Sequence, residues 1–110
     1  MATTPSPQRF LTIEPTVSAD GTPTLMCRGR INLESANAFR KEVKSLSPKH
    51  ATVLADLSAV DAIDSSGLGS ILGTYVSAKN DGCDLVLINI HPRVKDLLDI
   101  TKLTSVLGVK

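Results

Sequence analysis

Residues 56–72 read DLSAVDAIDSSGLGSIL, and this stretch decides how the chain is interpreted. The run leading into it, residues 52–57, is apolar and has the character of a buried strand. Ser58 and Asp61 then read as polar loop residues, and Asp64 and Ser65 open a helix. Its apolar positions are Leu68, Ile71, Leu72, Tyr75 and Val76, spaced i, i+3, i+4, i+7 and i+8. Asp64 or Ser65 is the natural N-cap, since either oxygen can accept from an N–H two or three residues on. A helix start leaves backbone N–H groups unpaired and carries about half a positive charge, so it tolerates an added phosphate. At 100° per residue, Ser65 projects near the edge of the apolar face. Ser66 projects to the opposite side, in line with Ser70, Gly73 and Ser77. Gly67, Gly69 and Gly73 around it present almost no side chain. A low-relief patch with one hydroxyl suits a docking surface that covalent modification can switch.

The remainder of the chain frames this stretch as one α/β domain. Residues 9–17 alternate apolar positions at Leu11, Ile13 and Val17, and Asp20-Gly21 is a hairpin turn signal. Residues 24–30 return as a second strand with Leu25 and Cys27 on one face. Asn32 is a plausible N-cap for a helix over 33–46 with the stripe Ala36, Phe39, Val43 and Leu46. Arg40, Lys41 and Lys44 on that helix read as a solvated face rather than a partner patch. The central helix spans 65–80 and is stopped by Asp81-Gly82. Residues 84–89 form another strand, and Pro92 starts a helix ending near Ile100, with Val94, Leu97 and Leu98 inside. Residues 105–109 give a last short strand. A hairpin followed by alternating strands and helices implies a mixed sheet of four to five strands, parallel after the hairpin, with right-handed crossovers.

Composition narrows the function classes. The chain has 110 residues and a net charge of +1, which supplies no drive toward nucleic acid or anionic membrane. No apolar stretch approaches the ~20 residues of a membrane span. Residues 1–8, MATTPSPQ, read as a disordered tail, leaving residues 9–110 as the domain. The only aromatics are Phe10, Phe39 and Tyr75, so the core must be aliphatic. Cys27 and Cys83 read as buried reduced thiols, and neither has metal-ligand spacing with His50 or His91.

Catalytic readings fit poorly. The window from Asp64 to Leu68 lacks the first glycine of a nucleophile elbow, and Gly69 is followed by Ser70-Ile71 where a phosphate loop requires Lys-Ser/Thr. A serine nucleophile needs a base, and only His50 and His91 are available. Asp56, Asp61 and Asp64 read as loop-fixing carboxylates rather than a metal site, with Asp56 also placed as a possible neighbour of the serine site. The chain is read as a non-enzyme without cofactor or metal.

Asp56-Leu57-Ser58, together with Ile63-Asp64-Ser65-Ser66-Gly67-Leu68-Gly69, resembles the signature of the STAS domain. The chain is most similar to the small bacterial anti-sigma factor antagonists within that family. The resemblance implies the STAS-type mixed sheet with helices mainly on one face, and a cytoplasmic protein. It implies that Ser66 is phosphorylated by a partner anti-sigma factor that is itself a serine kinase. The unphosphorylated form would hold that kinase and free a sigma factor, phosphorylation would block binding, and a phosphatase would reactivate. Asp64, Ser65, Ser66, Gly67, Leu68, Gly69, Ser70, Gly73 and Asn32 would face the partner, with Asp56 and Ser58 supporting the loop. Asn32 stands where these antagonists often carry an acidic residue. An alternative within the family is a STAS subunit docking on the ATPase of a membrane lipid-transport complex; the serine pair favours the antagonist.

Overall fold

The computed structural model describes residues 11–102 and 107–109. The expected tail and residues 105–106 of the expected last strand lie outside them. β1 (Leu11–Val17) and β2 (Pro23–Ile31) form an antiparallel hairpin. Its turn needs Gly21, whose φ of 88° is left-handed. Asp20 Oδ1 accepts from Ser18 Oγ at 2.6 Å and from Thr22 N at 3.0 Å, closing the turn. There follow α1 (Leu33–Leu46), β3 (Thr52–Ile63), α2 (Ser65–Asn80), β4 (Asp84–Ile88), α3 (Pro92–Thr101) and β5 (Gly108–Val109).

The strands lie in the order β1-β2-β3-β4-β5, and every pair after the first is parallel. Each crossover steps the same way across the sheet, so right-handed connections put all three helices on one face. Leu25, Cys27, Val53, Ala55, Leu57, Leu85 and Leu87 make the covered face and are buried. Phe39 and Val43 of α1, Leu68 and Ile71 of α2, and Val94 and Leu98 of α3 pack the core with them. Thr12, Glu14, Met26, Leu54 and Val86 lie on the other face, where Met26 is 38% exposed. The mixed five-stranded sheet is the architecture expected from the sequence.

Two local readings are corrected. Residues 58–63 are strand, not loop, because β3 absorbs its polar residues as bulges. Met26 pairs with Asp56 and Arg28 with Ala59, so Leu57 and Ser58 together oppose Cys27. Gly29 pairs with Val60 and Arg30 with Ala62, which leaves Asp61 as a second extra residue. Each insertion shifts the alternation by one, returning Val60 and Ile63 to the helix side. The inner face of α2 also differs: it buries Gly67, Leu68, Ile71, Thr74 and Ala78, while Val76 is 50% exposed. Thr74 can be inside because its hydroxyl donates to the Ser70 carbonyl at 2.8 Å.

Lys44 is not part of a solvated face. Its Nζ donates to Asp81 Oδ2 at 2.6 Å and to Ser77 Oγ at 2.7 Å, and buried Ser47 donates its hydroxyl to the same Asp81 oxygen at 2.6 Å. This knot ties the C-terminal end of α1 to that of α2. It also engages the Ser77 hydroxyl, which the helical projection puts in line with Ser66.

Candidate functional site

The candidate site is the start of α2, and the end of β2 fixes it. Asp64 is the N-cap: its Oδ1 accepts from Gly67 N at 2.6 Å, and its own N–H donates to the Ile31 carbonyl at 3.1 Å. The first turn of α2 is therefore pinned to the end of β2. Gly67 is what permits this closeness. A Cβ at that position would lie 2.5 Å from the Ile31 carbonyl oxygen, well inside van der Waals contact. Asn32 caps α1 beside it, accepting from Ser35 N at 2.8 Å while Ser35 Oγ accepts from Asn32 N at 2.9 Å. Ser35 Oγ also donates to the Arg30 carbonyl, so both helix starts are bonded to the last residues of β2.

On this frame Ser65 and Ser66 are exposed, and no hydrogen bond engages either hydroxyl among the described residues. Gly69 and Gly73 continue the exposed row, and a Cβ at either would meet nothing within 4 Å. Ser70 is half-buried. Two residues expected at the partner surface are turned inward: Leu68 is in the core and Gly67 is buried under Ile31, because the helix uses both to close on the sheet. A body docking on α2 therefore meets Ser65, Ser66, Gly69, Gly73 and Val76. Val76 was missed because its spacing from Leu68 and Leu72 mimics a core position.

Asp56 and Ser58 act further back. Ser58 donates its N–H and hydroxyl to Asp56 Oδ1 at 2.9 and 2.7 Å, and Asn89 Nδ2 donates to Oδ2 at 2.8 Å. The network shapes the first bulge of β3 and holds Asn89, which follows β4 at a left-handed φ of 53°. Burial pushes the Asp56 carboxyl up, but the bonds from Asn89 and Ser58 outweigh it and hold the group below the ordinary carboxylate range. A depressed folded value means that stability is present above the unfolded value, near 4, and is lost as pH falls through the folded one. Asp56→Asn is expected to lower stability by about 2 kcal/mol near neutral pH, because it sets an N–H₂ against donors. Its thermal midpoint should also fall less steeply on acidification than the parent's. Calorimetry between pH 7 and 3 checks both; equal slopes would remove Asp56 from the acid response.

The two thiols are buried and unpaired with each other. Burial, with the Asp56 carboxylate adding to it, pushes the Cys27 thiol up to about 12, which makes it inert. His91 is the N-cap of α3, its Nδ1 accepting from Arg93 N at 3.1 Å. Among the described residues no group of three His, Cys, Asp or Glu side chains could hold a metal, and no helix is long and apolar enough to cross a membrane.

The fold is a small α/β module with a mixed sheet, its helices on one side, and an exposed serine at the head of a glycine-bearing helix. The STAS domain model matches residues 15–110, and the chain belongs to that family. The anti-sigma-B factor antagonist of Bacillus subtilis is 33% identical over 81 residues, covering 74% of each chain. That of Listeria monocytogenes is 30% identical over 83 residues, covering 74% of this chain and 73% of its own. The crystal structure of an anti-sigma factor antagonist from Mycobacterium paratuberculosis superposes with a TM-score of 0.74 at 20% identity, covering 90% of this chain and 84% of that one.

Proposed function

We propose that this protein is a cytoplasmic anti-sigma factor antagonist, a binding protein and not an enzyme. Unmodified, it occupies an anti-sigma factor that is a serine kinase and so frees a sigma factor. Phosphorylation of Ser66 releases the partner, and a phosphatase restores binding. The observation that carries this reading is the free, exposed hydroxyl of Ser66 in the first turn of α2, beside the open row of Gly69 and Gly73.

Among the described residues, no atom lies close enough to Gly69 or Gly73 to require a glycine there. Glycine inside a helix costs about 1 kcal/mol relative to alanine, so the bare row is explained by a body that approaches from outside. Gly69→Ala and Gly73→Ala are each expected to raise stability by up to about 1 kcal/mol and yet to weaken partner binding. Denaturant titration and calorimetric binding read the two effects separately. Stabilised variants with undiminished affinity would place the partner elsewhere.

The direct test is incubation with ATP and an anti-sigma factor serine kinase from the same organism, followed by mass spectrometry. Phosphate is expected on Ser66 and absent from Ser66→Ala. A kinase that binds but leaves Ser66 unmodified would overturn the switch.

A further inference from the structure

A cleft of about 240 Å³ opens where β2 and β3 end and the chain turns into α1 and α2. Arg30, Ile31, Asn32, Ala62, Ile63 and Asp64 line it. Its polar groups are unequal in availability. Asn32 Oδ1 is bonded to Ser35 N, and Asp64 Oδ1 to Gly67 N. Arg30 is exposed, and among the described residues its guanidinium has no hydrogen bond or ion pair. Ala62 is its cross-strand partner and shares its face of the sheet, leaving room above a short side chain. The cleft thus offers one uncommitted planar cation beside Ala62 on the open face of the sheet, with the strand ends at Ile31 and Ile63 completing its wall. It is continuous with the proposed switch through Asp64, which lines the cleft and caps the turn carrying Ser66.

We infer that this cleft receives a carboxylate side chain of the protein that docks at Ser66, with Arg30 as its counter-ion. The inference rests on the function proposed above and adds to it the chemistry of the partner's contact. A guanidinium matches a carboxylate with two parallel hydrogen bonds, which lysine cannot reproduce. The methylenes of a glutamate would lie against the short Ala62 side chain beside Arg30. The pairing also sharpens the switch. A phosphate of nearly two negative charges on Ser66 repels a carboxylate brought to the neighbouring cleft.

The test measures binding of a purified anti-sigma factor serine kinase from the same organism to the wild type, Arg30→Ala, Arg30→Lys, Arg30→Glu, Arg28→Glu and Ser66→Asp by calorimetry. Arg28 lies on the same face of β2 but lines a separate hollow with Thr12, Glu14 and Met26, so it controls for long-range charge. Expected losses are about tenfold for Arg30→Ala, less for Arg30→Lys, and about a hundredfold for Arg30→Glu. Arg28→Glu should stay within about threefold, and wild-type affinity should fall with added salt more steeply than that of Arg30→Ala. Thermal midpoints of the Arg30 variants should match the parent's. Arg30→Glu binding like wild type, or losing no more than Arg28→Glu, while Ser66→Asp is still impaired, overturns the cleft and leaves the proposed function standing. A wild type that does not bind the kinase overturns both.

Discussion

Ser66→Asp is expected to fold as the parent does and to bind the proposed anti-sigma partner about a hundredfold less tightly. The two halves of this expectation have separate physical sources. Ser66 is exposed in the first turn of a helix, where a negative charge is favourable by about 0.3–1 kcal/mol. The free domain therefore has no reason to unfold. Under a docked partner the same charge loses its water, and without a cation waiting for it the cost is several kcal/mol. About 3 kcal/mol is already a factor of one hundred in affinity. Ser66→Ala, which removes the hydroxyl without adding charge, should keep most of the affinity while losing the phosphate. Calorimetric titration beside far-ultraviolet circular dichroism separates the outcomes. An Asp variant that binds normally would falsify the charge account, and one that unfolds would make Ser66 a structural residue instead.

The element order was legible because its signals are local. The helix over Ser65–Asn80 begins after Asp64 and ends before Asp81-Gly82, as the caps and the left-handed Gly82 dictate. The helix over Leu33–Leu46 follows from Asn32 and the Phe39 and Val43 stripe in the same way. The end of β3 was not legible. Ser58 and Asp61 interrupt the alternation, and in a single strand that pattern is indistinguishable from a loop. Only pairing with β2 reveals that each is an inserted residue and that Val60 and Ile63 return to the core side. The role of Lys44 was hidden for a similar reason, since its partners Ser77 and Asp81 lie more than thirty residues away. At the candidate site, the outward projection of Ser66 follows from helical geometry, while its role as the modified serine comes from the family resemblance. Gly67 looked like one more small surface residue, because the Ile31 carbonyl beneath it belongs to another strand. Arg30 carries no sequence signal as a strand-end cation; its distinction is that it stands at a cleft with no partner among the described residues.

The three glycines of α2 should answer alanine with opposite signs. At Gly69 and Gly73 the new methyl enters open space, and the gain in helix propensity is the main effect. At Gly67 it meets the backbone of β2: 2.5 Å from the Ile31 carbonyl oxygen and 2.8 Å from its carbon. A flexible side chain could swing aside, but a strand carbonyl cannot. That carbonyl also accepts the Asp64 N–H, so pushing it away strains the bond that positions the N-cap. Overpacking of this kind costs about 1–3 kcal/mol and can exceed that where backbone must move. Gly67→Ala is therefore expected to lower stability by about 2 kcal/mol or more, which is several degrees in thermal midpoint for a domain of this size. The displaced helix start would carry Ser66 with it, so partner binding and phosphorylation should fall together although neither serine has changed. Leu68 follows directly in the core, so the first turn cannot relieve the clash by rotating outward without unpacking it. Thermal unfolding of the three single variants checks the ordering, with Gly69→Ala and Gly73→Ala above the parent and Gly67→Ala below it. Should all three stabilise, the close approach of α2 to β2 would be wrong, and with it the fixed geometry on which a serine switch depends.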